Sequence, residues 1–128
     1  MTLKLKAVST KVGTDIPFPS RATAGSAGLD LRACLDGPVT IAPRQLARIP
    51  TGVAIALPGP EYAALVFARS GLGVKHGISL SNGVGVIDSD YRGEIQVGLT
   101  NLSDAPYTIQ PGDRIAQLVV TPVVLPAV

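Results

Sequence analysis

Glycine and proline punctuate this chain so densely that no long helix fits into it. Fourteen glycines and eleven prolines are spread over 128 residues. Asp36-Gly37-Pro38, Pro43-Arg44, Pro58-Gly59-Pro60, Ser103 to Pro106 and Pro111-Gly112 all read as turns, because proline presets φ and removes a donor while glycine tolerates the conformations that tight turns need. The intervening runs are short and apolar or alternating. Leu3-Lys4-Leu5-Lys6-Ala7-Val8 has a period of two, as a strand with one wet face requires. Further strands are expected over residues 29–34, 39–42, 46–50, 52–58, 62–68, 94–102, 107–109 and at 111–120, the 52–58 strand buried on both faces and Ile95, Val97 and Leu99 pointing inward. Residues 12–20, with Gly13, Pro17 and Pro19, must be loop. Turns at this density with no useful helical periodicity describe an all-β sandwich or barrel, a single domain over residues 1–128.

Hydrophobic residues make up 46% of the chain, charged ones 16% and aromatic ones 4%, with no Trp. The core is therefore expected to be aliphatic, and the surplus of apolar surface points to an oligomer interface. A chain of this length is short for enclosing a large substrate alone, so a site shared between subunits is expected. The net charge of +2 gives no basic patch and argues against a nucleic-acid partner. Lys4, Lys6 and Lys11 read as solvated residues at strand edges. The single Cys34 excludes an internal disulfide or a cysteine metal site, fits a reducing compartment, and is expected to be buried filler. No apolar run is long enough to span a bilayer, and none follows Met1, so the expectation is a cytoplasmic protein with no membrane partner.

The chemistry concentrates in residues 81–95. Asn82-Gly83 opens the stretch, Gly85-Val86-Ile87 leads to Asp88-Ser89-Asp90-Tyr91, and Gly93 closes it before the next alternating run. This predicts a β-hairpin carrying functional groups. Its glycines let backbone N–H and C=O groups approach a small planar ligand edge-on. The Asn82 amide carries donors and an acceptor, which suits a ring edge such as that of uracil. Asp88 is a candidate general base, and Tyr91 offers a flat apolar face for a sugar. The same residues also fit an ordinary surface hairpin, since Asp, Ser and Gly are the usual turn formers.

Three other places stand out. The small, glycine-rich run Thr23-Ala24-Gly25-Ser26-Ala27-Gly28 must turn tightly or let the backbone approach something closely. Ser70, after Arg69, can cap a short helix over residues 71–76, and a helix N-terminus beside an arginine suits phosphate, although the pattern is also common in plain structure. Gln117 lies mid-strand among Ile115, Ala116, Leu118 and Val119, where an amide can donate to a phosphate oxygen or orient a water. Asp113 and Arg114 are expected to form a local charged turn, and His76 has no partner spaced for catalysis.

These segments resemble, in order, motifs of the trimeric dUTPases. Ala27-Gly28-Leu29-Asp30-Leu31 is similar to the first motif, with Leu29 where the family usually has an aromatic residue. Arg69-Ser70-Gly71 with Lys75 and Gly77 is similar to the second, with Ala68 where proline is usual. Asn82 to Gly93 looks like the third, and Gly112-Asp113-Arg114-Ile115-Ala116-Gln117 resembles the fourth. The fifth, a glycine-rich C-terminal arm with an arginine and an aromatic residue, has no counterpart in Thr121 to Val128, which implies either an arm beyond this sequence or a site that closes less completely. The resemblance implies an all-β, dUTPase-like β-clip or distorted jelly-roll barrel with one short helix, assembled as a homotrimer with sites between subunits. It implies hydrolysis of dUTP to dUMP and pyrophosphate, limiting uracil in DNA and supplying dUMP for dTMP synthesis. Asp88 would be the general base, and Ser70 and Gln117 would act at the phosphates. Arg69, Ser70, Gly71 and Gln117 would hold the phosphate chain, while Asn82, Gly85, Val86, Ile87, Tyr91 and Gln96 would hold the nucleoside. Mg²⁺ would sit on the triphosphate and waters, with Asp30 acting through water. The alternatives are an arm-less nucleotide-binding relative and a dCTP deaminase of the same fold.

Overall fold

The computed structural model describes all of residues 1–128. Eleven short strands and one helix follow in the order β1 (Lys4–Ala7), β2 (Leu29–Arg32), β3 (Val39–Ile41), β4 (Leu46–Pro50), β5 (Val53–Ala56), β6 (Tyr62–Phe67), α1 (Ser70–His76), β7 (Ile78–Leu80), β8 (Gly85–Ile87), β9 (Gln96–Asn101), β10 (Tyr107–Ile109) and β11 (Arg114–Pro122). They form a four-stranded sheet β2-β11-β6-β8, a three-stranded sheet β4-β9-β7 and two pairs, β1-β5 and β3-β10. Every ladder is antiparallel.

The alternating runs explain the core. Ile41, Ile49, Leu99, Ile109, Ile115 and Leu118 are at most 2% exposed and come from strands of three of these sheets. Fully burying one such aliphatic side chain contributes roughly 1.5–3 kcal/mol. Val53, Ala54 and Ile55 are all buried, and Ile95, Val97 and Leu99 point inward as their alternation predicts. Asn101 is the one fully buried amide. Its Nδ2 donates to the carbonyls of Ile41 and Ala105, and its Oδ1 accepts from the N–H and hydroxyl of Ser103. That satisfaction is what permits an amide in an aliphatic core.

Several local expectations are corrected. The Asn82-Gly83 turn does not close a hairpin: β7 pairs with β9, whereas β8 pairs with β6 in the other large sheet. The turn, with Gly83 at φ +77° and its N–H bonded to the Leu80 carbonyl, carries the chain from one sheet to another, and residues 88–95 carry it back. Strand β2 ends at Arg32 because Ala33 donates to the Asp113 carbonyl and Cys34 to that of Pro50, so the chain changes partners. Cys34 is only half-buried, with Sγ close over Gly52, where an added Cβ would lie 2.7 Å away. Gly52 has φ +72°, so both space and backbone require glycine there. No helix is long and apolar enough to cross a membrane.

Candidate functional site

The two crossings between the large sheets enclose a cleft of about 480 Å³. Its walls come from both sheets: Val66 and Gly85 to Ile87 from one, Arg48, Leu80 and Gln96 to Gly98 from the other, with Asn82, Asp88, Tyr91 and Glu94 on the crossings. The six nucleoside residues named from the sequence, Asn82, Gly85, Val86, Ile87, Tyr91 and Gln96, therefore meet the candidate base Asp88 in one place. Glycines set its shape. A Cβ at Gly85 would lie 3.2 Å from Cβ of Val66, one at Gly98 2.5 Å from Oγ of Ser81, and one at Gly93 2.5 Å from the Tyr91 hydroxyl. The hydroxyl end of Tyr91 thus lies close over Gly93, and the hydroxyl donates to the Glu94 carbonyl at 3.0 Å. Arg92 braces the loop through Nη1 to the Ser89 carbonyl at 2.7 Å. Glu94 accepts from the Gly52 N–H at 2.9 Å and from Nε2 of Gln96 at 3.3 Å. The Asp88 carboxylate makes no ion pair and is exposed, so its oxygens are open to a water.

A second, smaller pocket of about 180 Å³ is lined by Ala22, Ser26, Gly28, Asp30, Arg69, Ser70 and Gln117. None of these residues lines the cleft. Gln117 faces Asp30 across β11 and β2 and donates through Nε2 to the Ala68 carbonyl at 3.0 Å, fixing the residue that precedes Arg69. It has room because Gly28 lacks a side chain: a Cβ there would stand 2.8 Å from Oε1 of Gln117. This is the close approach that the run at 23–28 foretold. Asp30 is flanked by two cations, with Nε of Arg69 at 3.2 Å from Oδ1 and Nη1 of Arg114 at 3.6 Å from Oδ2.

Ser70 does not cap α1. Arg69 occupies the N-cap with extended φ −91° and ψ 140°, no side chain caps the helix, and Ser70 is its first residue. The first helical turn carries no acidic residue, and Gly73 is the donor to the Arg69 carbonyl, so the N–H groups of Ser70, Gly71 and Leu72 lack intrahelical partners. Gly71 lines neither cavity. Nor do Asp113 and Arg114 pair with each other: Asp113 accepts from the Gln110 N–H at 2.8 Å, and Arg114 turns to Asp30. Asp113 closes the turn before β11, whereas Arg114 is the first residue of the strand, and this separates them. A bulge between Arg114 and Ala116 moves Arg114 into register with Arg32, and Arg32 shares a sheet face with Asp30. His76 closes α1 with its ring 4.8 Å from that of Tyr107, a packing role. Burial, and after it the Asp113 carboxylate, push the Tyr107 hydroxyl above its usual pKa.

The sequence of the whole domain agrees with this arrangement. The dUTPase family pattern matches residues 14–128. The chain belongs to the dUTPase family. It is 56% identical over 122 residues to the deoxyuridine 5'-triphosphate nucleotidohydrolase of Idiomarina loihiensis, covering 95% of this chain and 81% of that one. The corresponding enzyme of Legionella pneumophila strain Paris is 52% identical, with 95% and 80% covered. Among solved structures, the Staphylococcus bacteriophage 80alpha dUTPase with dUPNHPP superposes with a TM-score of 0.86 at 27% identity, covering 99% of this chain and 86% of that one. A point mutant of the dUTPase from phage phi11 of S. aureus, described with a structural Mg(II) ion, superposes at 0.85 and 25% identity, covering 100% and 95%. This dUTPase hydrolyses dUTP to dUMP and pyrophosphate, which limits uracil incorporation into DNA and supplies dUMP for dTMP synthesis. The deaminase alternative falls away with that membership.

The residues that sequence reasoning missed in this dUTPase are Arg48, Glu94 and Gly98 in the cleft and Ala22 in the pocket, together with Arg114. Gly98 carried a signal, since a lone glycine in a strand marks close backbone approach. Arg48 and Arg114 carried none, because an arginine on an alternating strand reads as a wet face.

Proposed function

We propose that the cleft receives the deoxyuridine and that Asp88 orients and deprotonates the water that attacks the α-phosphorus in line. The observation that carries this is an exposed carboxylate without an ion pair, set in the cleft beside a tyrosine whose hydroxyl end lies close over a glycine. Asn82 and the backbone of Gly85 to Ile87 read the uracil edge, where cytosine would set donor against donor at about 1–3 kcal/mol per unsatisfied group. Tyr91 lies beneath the sugar and leaves no room for a 2′-hydroxyl. Thymine is refused for want of space beside its methyl. Gln96, tethered by Glu94, borders the base or sugar.

The triphosphate belongs to the smaller pocket, where Arg69, Ser70 and Gln117 neutralise and orient it, with Gly71 supplying a backbone donor. The protein brings together no group of three His, Cys, Asp or Glu side chains; Mg²⁺ would be held chiefly by the triphosphate and waters, with Asp30 serving it through water. When bound, the ion offsets phosphate charge. The assembly is a homotrimer whose sites join the cleft of one subunit to the pocket of another. Two features support this: cleft and pocket share no residue within a chain, and Leu46 and Val86 are 70% and 66% exposed. A cytoplasmic location goes with the single, unpaired cysteine.

Pyrophosphate release from dUTP, dCTP, dTTP and UTP with Mg²⁺, alongside an Asp88→Asn control, tests the reading. Release from dUTP alone, lost in the control, is expected; equal release in the control would remove Asp88 from the chemistry. Light scattering on the purified protein gives the subunit number.

A further inference from the structure

A guanidinium facing a carboxylate commonly binds it with two nitrogens, forming a fork on a fork. Asp30 does not allow this. Its side chain is 14% exposed, and its two oxygens are divided between two arginines, Oδ1 towards Nε of Arg69 and Oδ2 towards Nη1 of Arg114. Neither arginine makes another ion pair. Arg69 therefore meets Asp30 through Nε, and its side chain borders two cavities, the pocket that it lines with Ser70 and Gln117 and one of about 230 Å³ that it lines with Arg114.

The backbone arranges this sharing. Ala116 is in register with Leu31 and Gln117 with Asp30, and regular pairing would carry Arg114 opposite Ala33, on the buried face. The bulge places it opposite Arg32 instead, on the face of Asp30, while Ile115 and Ala116 both stay buried at 1% and 0% exposure. A bulge that re-aims one side chain beside a site is a recurrent device. Gln117, from the same strand, holds the Ala68 carbonyl, so β11 controls Arg69 from both its backbone and its side chain.

We propose that Arg114 is a positioning residue for the triphosphate: by holding Oδ2 of Asp30 it prevents Asp30 from capturing Arg69 with both oxygens and keeps the terminal nitrogens of Arg69 open to phosphate. The inference rests on the reading of the smaller pocket as the phosphate site. Removing Arg114 lets the Asp30–Arg69 pair close on itself, away from substrate. Removing Asp30 as well abolishes the trap, so the second change suppresses the first.

The test is steady-state hydrolysis of dUTP by Arg114→Gln, Arg114→Lys, Asp30→Asn, Arg69→Gln and the double variant Asp30→Asn/Arg114→Gln, with the Mg²⁺ concentration for half-maximal rate measured for each. Arg114→Gln is expected to raise KM about tenfold with kcat little changed, the scale of a misplaced binding group. Arg114→Lys recovers part of that loss. In the Asp30→Asn background the Arg114 change has no further effect on KM, and Arg114→Gln leaves the Mg²⁺ requirement unmoved. Equal KM penalties in both backgrounds would overturn the proposal, since they would mean that Arg114 touches substrate or merely supports the fold. A shifted Mg²⁺ requirement in Arg114→Gln would overturn it, since Arg114 would then act on the metal and not on Arg69. An unchanged KM in Arg69→Gln would instead remove the phosphate reading of the pocket itself, and the proposal with it. Should Arg114→Gln melt early, the lysine variant in the two backgrounds carries the same comparison.

Discussion

The cleft and the smaller pocket are built on opposite principles. The cleft is shaped by absences: Gly85, Gly93 and Gly98 remove side chains so that Val66, Tyr91 and Ser81 can take their places. Its one candidate acid–base group stands free of ion pairs on a crossing between sheets. The pocket is shaped by charge, with Asp30 and Arg69 paired in its wall and Arg114 beside Asp30 outside it, and most of its polar groups sit on or next to regular strands and a helix start. A surface built from backbone reads shape and hydrogen-bond pattern, which suits a neutral base. A surface built from arginines reads charge and tolerates variety in what carries it, which suits a phosphate chain.

The contrast breaks first at Asp88. Asp88→Asn is expected to lower kcat about 10²–10⁴-fold with KM nearly unchanged, whereas Arg69→Gln should act mainly on KM; fluorescence-followed pyrophosphate release at saturating and limiting dUTP separates the two. Next is Gly28→Ala, where the new Cβ would press on Gln117 and cost the bond to Ala68. A fall in kcat/KM of about tenfold is expected, and a crystal structure or the exchange rates of backbone amides near Arg69 would show the displacement. Gly93→Ala lifts the Tyr91 ring and should relax selection against UTP several-fold, read as the ratio of kcat/KM for dUTP and UTP. An unchanged ratio would take Tyr91 out of sugar recognition.

Salt sharpens the same comparison. Raising ionic strength from 0.1 to 1 M shortens the Debye length from about 10 to 3 Å, so KM for dUTP should rise about threefold while inhibition by deoxyuridine, which carries no phosphate, stays level. The smallest effect belongs to Tyr107. Its folded-state pKa lies above the unfolded value, so the folded state holds the proton more tightly; that contribution is complete below the ordinary tyrosine value of 10.0 and disappears as pH rises through the higher folded pKa. Tyr107→Phe should therefore lose less thermal stability than the parent between about pH 9.5 and 11.

What could be read from the sequence follows the same division. The cleft residues lie almost consecutively from Asn82 to Gln96, so a contiguous pattern revealed them together. The strands were also legible, because alternation reports which face is wet; Ile95, Val97 and Leu99 are buried as their spacing requires. The partner of each strand was not legible. Asn82-Gly83 specifies a turn within four residues, but whether β8 lies beside β7 or β6 is decided by which sheet buries Ile87. Arg114 was misread for a related reason: adjacency in sequence suggested Asp113, while a one-residue bulge, silent in the residue types, chose Asp30. The pocket draws on three separated segments, and only a family resemblance could gather Asp30, Arg69, Ser70 and Gln117 before the structure did.

Because the polypeptide between β7 and β9 leaves one large sheet, visits the other and returns, the cleft works as a caliper whose jaws are those two sheets. Its opening is set by the thickness of the aliphatic layer between them. Trimming the buried Ile87 or Leu99 is expected to change the gauge, and affinity for a base held there would then register the packing of the interior.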